Sequence, residues 1–409
     1  MGEEKQTLMA VADALARVLE GVTELAAERV GLNEAAGRVL AEDVVARLDH
    51  PPADVSSMDG YAVRSEDVAT VPVTLKLIGE SSAGSGFAGT VGPGETARIF
   101  TGAPLPKGAD TVVIQEDTER PETGNGDSVT MLESSHAGRY VRPAGLDFKK
   151  GQVLLKAGTV LRARHIGLAA GMNVPELTVR RKPRVALLSN GNELVEPGEP
   201  VGPNQIINSN TFALAAFVRD CGGEPVNLGI ARDTVESLRE KIAEAQTTDL
   251  LVTMGGASVG DYDLVQQVLG TEGFDLGFYR IAMRPGKPLI FGHMGTLPVL
   301  GLPGNPVSVG VTALIFLKPA IEVMLGIARD TAPPETALLG CDLGENDRRQ
   351  DYLRARLGFD ETGRRVVTPF GKQDSSMMAT LAAADCLIVR APHAPATKKG
   401  EPVEIVFLP

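Results

Sequence analysis

Leu8, Val11, Ala12, Leu15, Val18 and Leu19 recur at helical spacing, which predicts an amphipathic helix over residues 7–20. A second helix-like stretch around 34–41 leads into an extended segment. After His50-Pro51-Pro52-Ala53-Asp54 the period changes. The runs VPVTLKLIG, TARIF, DTVVIQ, SVTML and GQVLL follow one another between 71 and 160, separated by Gly and Pro turns, as in a β-rich insert. Residues 162–173 resume a helical pattern and are expected to pack back on the N-terminal helices.

From 184 to 326 strand-like runs alternate with helical ones. RVALLS precedes NTFALAAFVRDCGG, PVNLGI precedes a helix at 233–246, DLLVTMGG precedes a helix at 262–270, and LPVLGL precedes a helix after 305. These strands lack polar alternation, as expected when both faces are covered. The alternation implies right-handed crossovers in a parallel sheet with helices on both sides. Past 331 helical patterning stops, and ETALLGCDL, YLRARLGF, RVVTPF, DCLIVRAP and PVEIVFLP read as strands of a small barrel or sandwich. The expected fold is α/β and β, multidomain. Residues 1–46 with 147–180 form a discontinuous N-terminal helical and linker domain, 47–146 the β-rich insert, 181–328 the α/β domain and 329–409 a C-terminal β-barrel.

Composition narrows the partners. A chain of 409 residues exceeds one ordinary core, in keeping with several domains. A net charge of −12 argues against coating DNA or an anionic membrane by bulk electrostatics, and 4% aromatics with no Trp leave little for base stacking. Neither nucleic acid nor membrane is an expected partner, and any anionic ligand needs a local cluster of cations. Cys221, Cys341 and Cys386 lie far apart, and the five His are scattered, so neither a disulfide framework nor a zinc or haem site is expected. MGEEKQTL has no apolar core of the signal-peptide kind. The longest apolar stretch, Val307 to Leu317, is shorter than the ~20 residues that span a bilayer. A cytoplasmic location is expected.

Ligands of open α/β sheets bind beyond the carboxyl ends of the strands, and four polar loops fall there. They are Ser189-Asn190-Gly191-Asn192-Glu193, Arg232-Asp233, Gly255-Gly256-Ala257-Ser258-Val259-Gly260-Asp261-Tyr262-Asp263, and Gly301-Leu302-Pro303-Gly304-Asn305-Pro306-Val307-Ser308. Each follows a strand and precedes a helix, where free backbone N–H groups attract anions. Read singly, GGASVG is a tight strand–helix turn, and PGNP a rigid turn with Asn305 capping a helix that opens at Pro306. Their convergence changes the reading. Glu193, Asp233 and Asp263 occupy equivalent places, and carboxylates beside a phosphate repel it unless a metal intervenes. Mg²⁺, which takes oxygen ligands and substrate phosphates, fits. Arg280, Arg284 and Lys287 surround Pro285-Gly286. They read either as a solvated hairpin or as an oxyanion clamp.

Taken in order, PPADVSSMDGYAVR (51–64), RIFTGAPLPKGADTVV (98–113), SNGNEL (189–194), GGASVGDYD (255–263), MRPGKP (283–288) and GLPGNPVS (301–308) resemble the molybdopterin molybdenumtransferases, the family that includes the gephyrin E domain. The resemblance implies an elongated four-domain homodimer whose active site lies between the α/β domain of one subunit and parts of the other. It implies a molybdopterin-binding α/β domain, molybdopterin adenylate and molybdate as substrates, Mg²⁺ as cofactor, and transfer contacts with the adenylating enzyme and with apo-molybdoenzymes. The catalytic set carried over is Asp59, Thr101, Glu193, Asp233 and Asp263, of which Glu193, Asp233 and Asp263 hold the metal. Gly255, Gly256, Ser258, Gly260, Arg280, Arg284, Lys287, Pro303, Asn305, Pro306, Asp147, Arg354 and Ser375 correspond to substrate-binding positions. Arginine stands at 280 and 284 where the family often has lysine, and Leu146 where an acid is common. A tungstate-inserting paralogue and a non-catalytic molybdopterin-binding scaffold are the rival readings. The retained trio of acids speaks against the scaffold.

Overall fold

A computed structural model describes residues 8–120, 127–255, 270, 274–328 and 333–409. The chain divides into two compact units, one formed by Met1–Glu28, Gly37–Ala41 and Val179–Pro409, the other by Arg29–Ala36 and Glu42–Thr178. The first predicted helix is α1, Val11–Glu20. Its Val11, Ala14 and Val18 are buried in the core of the α/β unit together with Val185 and Leu187. Around 34–41 the helical expectation reduces to a single turn, Leu32–Glu34, because Gly37 takes a positive φ of 76°.

In the unit of residues 29–36 and 42–178, six strands form one sheet: β1 Gly60–Val63, β2 Val73–Ser81, β3 Glu95–Ile99, β4 Thr111–Ile114, β5 Thr118–Glu119 and β6 Ser128–Met131. Their order is β4-β1-β3-β2-β6-β5, with β2 and β3 parallel and the other pairs antiparallel. Strand β1 shows no alternation of burial because all four of its residues are buried. Tyr61 and Val63 face one apolar cluster, and Ala62 the other, as period-2 side chains do. Gly60 is required here, since a Cβ would overlap the Val113 carbonyl. Helix α2, Ala163–Gly171, rests beside the turn Leu32–Glu34 of the same unit.

The α/β core is built on β7 Arg184–Asn190, β8 Glu224–Ala231, β9 Leu250–Met254 and β13 Leu297–Leu302. Helices α3 Asn210–Asp220 and α4 Val235–Ala245 join the first three. The sheet is mixed, not wholly parallel. Its order is β8-β7-β9-β13-β12-β10, where β10 Phe274–Tyr279 and β12 Ile290–Met294 are added antiparallel. Strands β7, β9 and β13 are buried almost throughout, which explains their unbroken apolar runs. Helix α4 covers one face, and α1, α3 and the helix from Pro306 the other. That helix runs as α5 Pro306–Thr312, a π segment Ala313–Leu317 and α6 Lys318–Met324. At 19 residues it is longer than its apolar stretch and meets the length of a membrane span, but two thirds of it is buried in the core.

The C-terminal strands close on themselves. The ladder β15-β16-β14-β18-β17 returns to β15, with β14 Thr336–Leu339, β15 Gln350–Phe359, β16 Arg365–Pro369, β17 Cys386–Arg390 and β18 Pro402–Phe407. The result is a five-stranded barrel filled by Leu339, Ala355, Val367, Ile388 and Ile405. The short strand β11, Met283–Arg284, pairs in parallel with the start of β15.

Candidate functional site

Strand β7 sends its chain to β8 on one side and then to β9 on the other, so the loops at its carboxyl end diverge and leave a crevice. Asn190 pairs with Ala231 in register, which sets the loop after β7 beside Arg232-Asp233. Asn190 Nδ2 donates to Asp233 Oδ1 at 3.0 Å, and the Asn192 N–H donates to Asp233 Oδ2 at 3.1 Å. The Asp233 N–H returns a bond to Asn192 Oδ1 at 3.2 Å. Asp233 is thus held by two asparagines, while Thr234 caps α4 through the Ser237 N–H. Asn190 is 7% exposed, and its Oδ1 is buried without a partner. Glu193 is exposed, with its carboxylate folded over Gly191.

Gly255, at φ +88°, would bring a Cβ within 2.8 Å of the Asn190 carbonyl, and Gly304 stands close against its Cα. The loops after β7, β9 and β13 therefore touch through backbone, which side chains would separate. Gly256, Ser258, Gly260 and Asp263 lie outside the described residues. Among the described residues, no three acidic, His or Cys side chains converge on a point. Asn210 Nδ2 donates to the Gly304 carbonyl at 2.7 Å, and buried Pro303 stiffens the same loop. Pro306 opens the helix as expected, but the Asn305 side chain does not cap it. Its Nδ2 donates instead to Ser375 Oγ at 2.9 Å, while the Val307 N–H donates to the Ser375 carbonyl at 3.1 Å. Ser375 is thereby brought from the barrel to the β13 loop.

Arg354 enters from the same side. It lies on β15, is 1% exposed, and is among the largest fully buried side chains. Among the described residues its guanidinium bonds only neutral acceptors, Gln373 Oε1 at 3.2 Å and the Met377 carbonyl at 3.4 Å. Burial lowers its pKa from the ordinary value, with Asp374 opposing. It makes no ion pair among the described residues. A buried cation without a carboxylate is costly alone and favourable beside an anion.

The cationic loop splits its roles. The Ile281 N–H donates to the Lys287 carbonyl at 3.0 Å and the Arg280 N–H to the Leu289 carbonyl at 3.2 Å, closing the loop. Lys287 is half-buried and makes no ion pair among the described residues. Arg280 holds φ at +74°. Arg284 turns to the barrel, where Asp351, Asp347 and Asn346 take its terminal nitrogens and Asp351 raises its pKa. Sequence reasoning placed Asn190 in a candidate ligand loop without giving it a role, and missed Asp351. The available signal for Asp351 was an acid inside a strand pattern, within RRQDYLRARL.

In the other unit, Asp59 and Thr101 meet directly. Thr101 donates both its N–H, at 2.7 Å, and its hydroxyl, at 2.8 Å, to Asp59 Oδ1. These bonds, the backbone one foremost and then Arg98, hold the carboxyl below its ordinary pKa. Arg98 lies over the rings of Tyr61 and Phe100 and bonds the Gly60 carbonyl and Gln115. Asp147 is exposed, with its N–H on the His50 carbonyl at 3.0 Å and no partner for its carboxylate among the described residues.

Residues 9–172 match the MoeA N-terminal region (domain I and II), 186–323 a probable molybdopterin binding domain, and 336–408 the MoeA C-terminal region (domain IV). A molybdopterin molybdenumtransferase of Nostoc sp. is 38% identical over 93% of this chain and 89% of its own length. One of Haemophilus influenzae is 34% identical over 92% and 93%. The molybdopterin biosynthesis MoeA protein of Pyrococcus horikoshii superposes with a TM-score of 0.85 at 32% identity, covering 98% of this chain and 99% of that one.

Proposed function

From its place in the MoeA family of molybdopterin molybdenumtransferases, to which this chain belongs, we propose that it inserts molybdate into adenylylated molybdopterin in the cytoplasm, in a Mg²⁺-dependent reaction that releases AMP. It is a transferase of molybdenum cofactor biosynthesis. The observation that carries the oxyanion half is Arg354, a buried cation with only neutral acceptors among the described residues, beside Ser375 and the Asn305 loop. A tetrahedral dianion there gains charge-assisted bonds in a site already paid for in desolvation. Lys287 adds a point charge from the adjoining loop.

The adenylate phosphate is assigned to the crevice where the Asn190, Gly255 and Gly304 backbones meet. Mg²⁺ would be held by Glu193, Asp233 and Asp263 and would neutralise phosphate charge. The oxygen-only donors suit such a hard cation, and the unpartnered Asn190 Oδ1 beside Asp233 is a further oxygen of that kind. Attack of water on the phosphoanhydride releases AMP and leaves the phosphate on the pterin, while the two dithiol sulfurs bind molybdenum as one molybdate oxygen leaves as water with the two thiol protons. The chain's part is positioning and charge neutralisation, with no Cys or His in these loops to form a covalent intermediate.

The test is AMP release from molybdopterin adenylate, with molybdate and with tungstate. Turnover is expected with molybdate and is expected to be lost in Glu193→Gln at unchanged melting temperature. Wild-type turnover in that variant, or in excess chelator, would remove the metal assignment. Failure with both oxyanions would leave a binding scaffold.

A further inference from the structure

Strand β15 carries two buried charges, and they do opposite things. Arg354 faces neutral acceptors. Asp351 is 3% exposed and answers Arg284, which lies opposite it in the parallel pairing of β11 with β15. The Gln350 N–H donates to the Ala282 carbonyl at 2.8 Å, so the cationic loop and the barrel share a ladder at this point. Arg284 also donates to Asp347 Oδ2 at 3.1 Å and Asn346 Oδ1 at 3.4 Å. Both partners are themselves hydrogen-bonded. Asp347 accepts the Arg349 N–H at 2.8 Å. Asn346 Nδ2 is fixed by the carbonyls of Arg349, Arg390 and Ala391.

An oxyanion seated on Arg284 would stand beside two carboxylates, whose repulsion opposes the attraction of the guanidinium. Both terminal nitrogens are already engaged, three of the five guanidinium N–H groups in all, so an oxyanion would have to share the fork with these partners. Lys287 carries no such partner among the described residues and is fixed at its carbonyl by the Ile281 N–H. Gly286 between them, at φ +110°, packs against Thr312 of α5, leaving no space for a Cβ. We propose that Asp351 is a positioning residue that makes Arg284 a strut between loop 280–288 and the barrel, leaving Lys287 as the anion contact of that loop. This inference rests on the oxyanion reading above.

The test is a double-mutant cycle in the full-length protein, reading the half-saturating molybdate concentration separately from the maximal rate of AMP release. Arg284→Ala and Asp351→Asn should each raise that concentration by a similar factor, roughly fivefold, with a smaller effect on the rate. The double variant should be no worse than either single one. Lys287→Ala should raise it about tenfold or more and combine additively with Asp351→Asn. Asp351→Glu should recover most of the loss. If Asp351→Asn does not fold, exposed Asp347→Asn serves in the cycle, with the same non-additivity expected. Additive losses in Arg284→Ala and Asp351→Asn would overturn the proposal, as would unchanged or tighter molybdate dependence in Asp351→Asn. A wild-type protein with no saturable molybdate dependence would instead remove the oxyanion reading itself.

Discussion

Arg354 shows how little a side chain's identity says before its surroundings are known. In RRQDYLRARL, Asp351 and Arg354 are two charges in one strand pattern. Burial gives one a cationic partner and the other none. Breaking a buried pair usually costs ~3–5 kcal/mol, because a charge is left stranded. Arg354 has no such pair to break. Arg354→Gln should therefore keep the melting temperature within a few degrees while raising the half-saturating molybdate concentration about tenfold, a loss of about 1.4 kcal/mol. Thermal melts and a molybdate titration on the same sample check both halves. A large drop in melting temperature with unchanged molybdate dependence would make Arg354 a structural residue. Gly255 is the contrasting case, legible from sequence, because a strand–helix turn at positive φ against a neighbouring carbonyl admits little else.

At the scale of elements, the parallel strands are anchored at their amino ends. Asp249, just before β9, accepts both terminal nitrogens of Arg181, at 2.8 and 2.7 Å, and the Arg184 N–H at the start of β7, at 2.7 Å. Burial acts to raise its pKa, but the Arg181 and Arg184 bonds outweigh it and hold the carboxyl below its ordinary value of 3.8. A depressed folded pKa contributes stability that is complete above the unfolded value and fades as pH falls through the folded one. Arg181 is part-exposed, so screening reduces the effect. Asp249→Asn is expected to cost about 1–2 kcal/mol at neutral pH. Denaturant curves for the two proteins should stay apart by that amount down to about pH 5 and converge below about pH 4. A gap that persists at the lowest pH would mean packing, not charge, holds the two strands. The β10–β12 pair illustrates the limit of reading elements. FDLGFY and IFGHM carry no helical crossover between them, so nothing local announces that β12 joins the parallel sheet in the opposite sense and that β10 follows it antiparallel.

For the whole molecule, the proposal of a homodimer with shared sites has a simple arithmetic. Asp59 and Glu193 lie in different units of the chain. If each site draws on both copies, an Asp59→Asn protomer assembled with a Glu193→Gln protomer carries one intact site and one doubly damaged one. Random mixing makes half the dimers mixed, so co-expression should restore about a quarter of wild-type AMP release. No recovery, with subunit exchange verified by two affinity tags, would place each site within one copy.

The sequence by itself determined the alternation of β7, α3, β8, α4 and β9, the strands β2, β3, β4 and β6 of the insert, the strands of the barrel, and the polar loops at the carboxyl ends of β7, β8 and β13, while the helix expected at 262–270 falls almost wholly outside the described residues. Each depends on hydrophobic period, turn residues and glycine stereochemistry acting over a few neighbours. Tertiary structure alone decided that α1 belongs to the α/β core, that Asn305 reaches Ser375 instead of capping its helix, and that Arg284 is claimed by Asp351 while Arg354 is left to neutral acceptors. Those outcomes join residues 67 and 70 positions apart in the chain. Charge and hydrogen-bonding capacity are written locally, but which partner uses them is set by packing between distant elements.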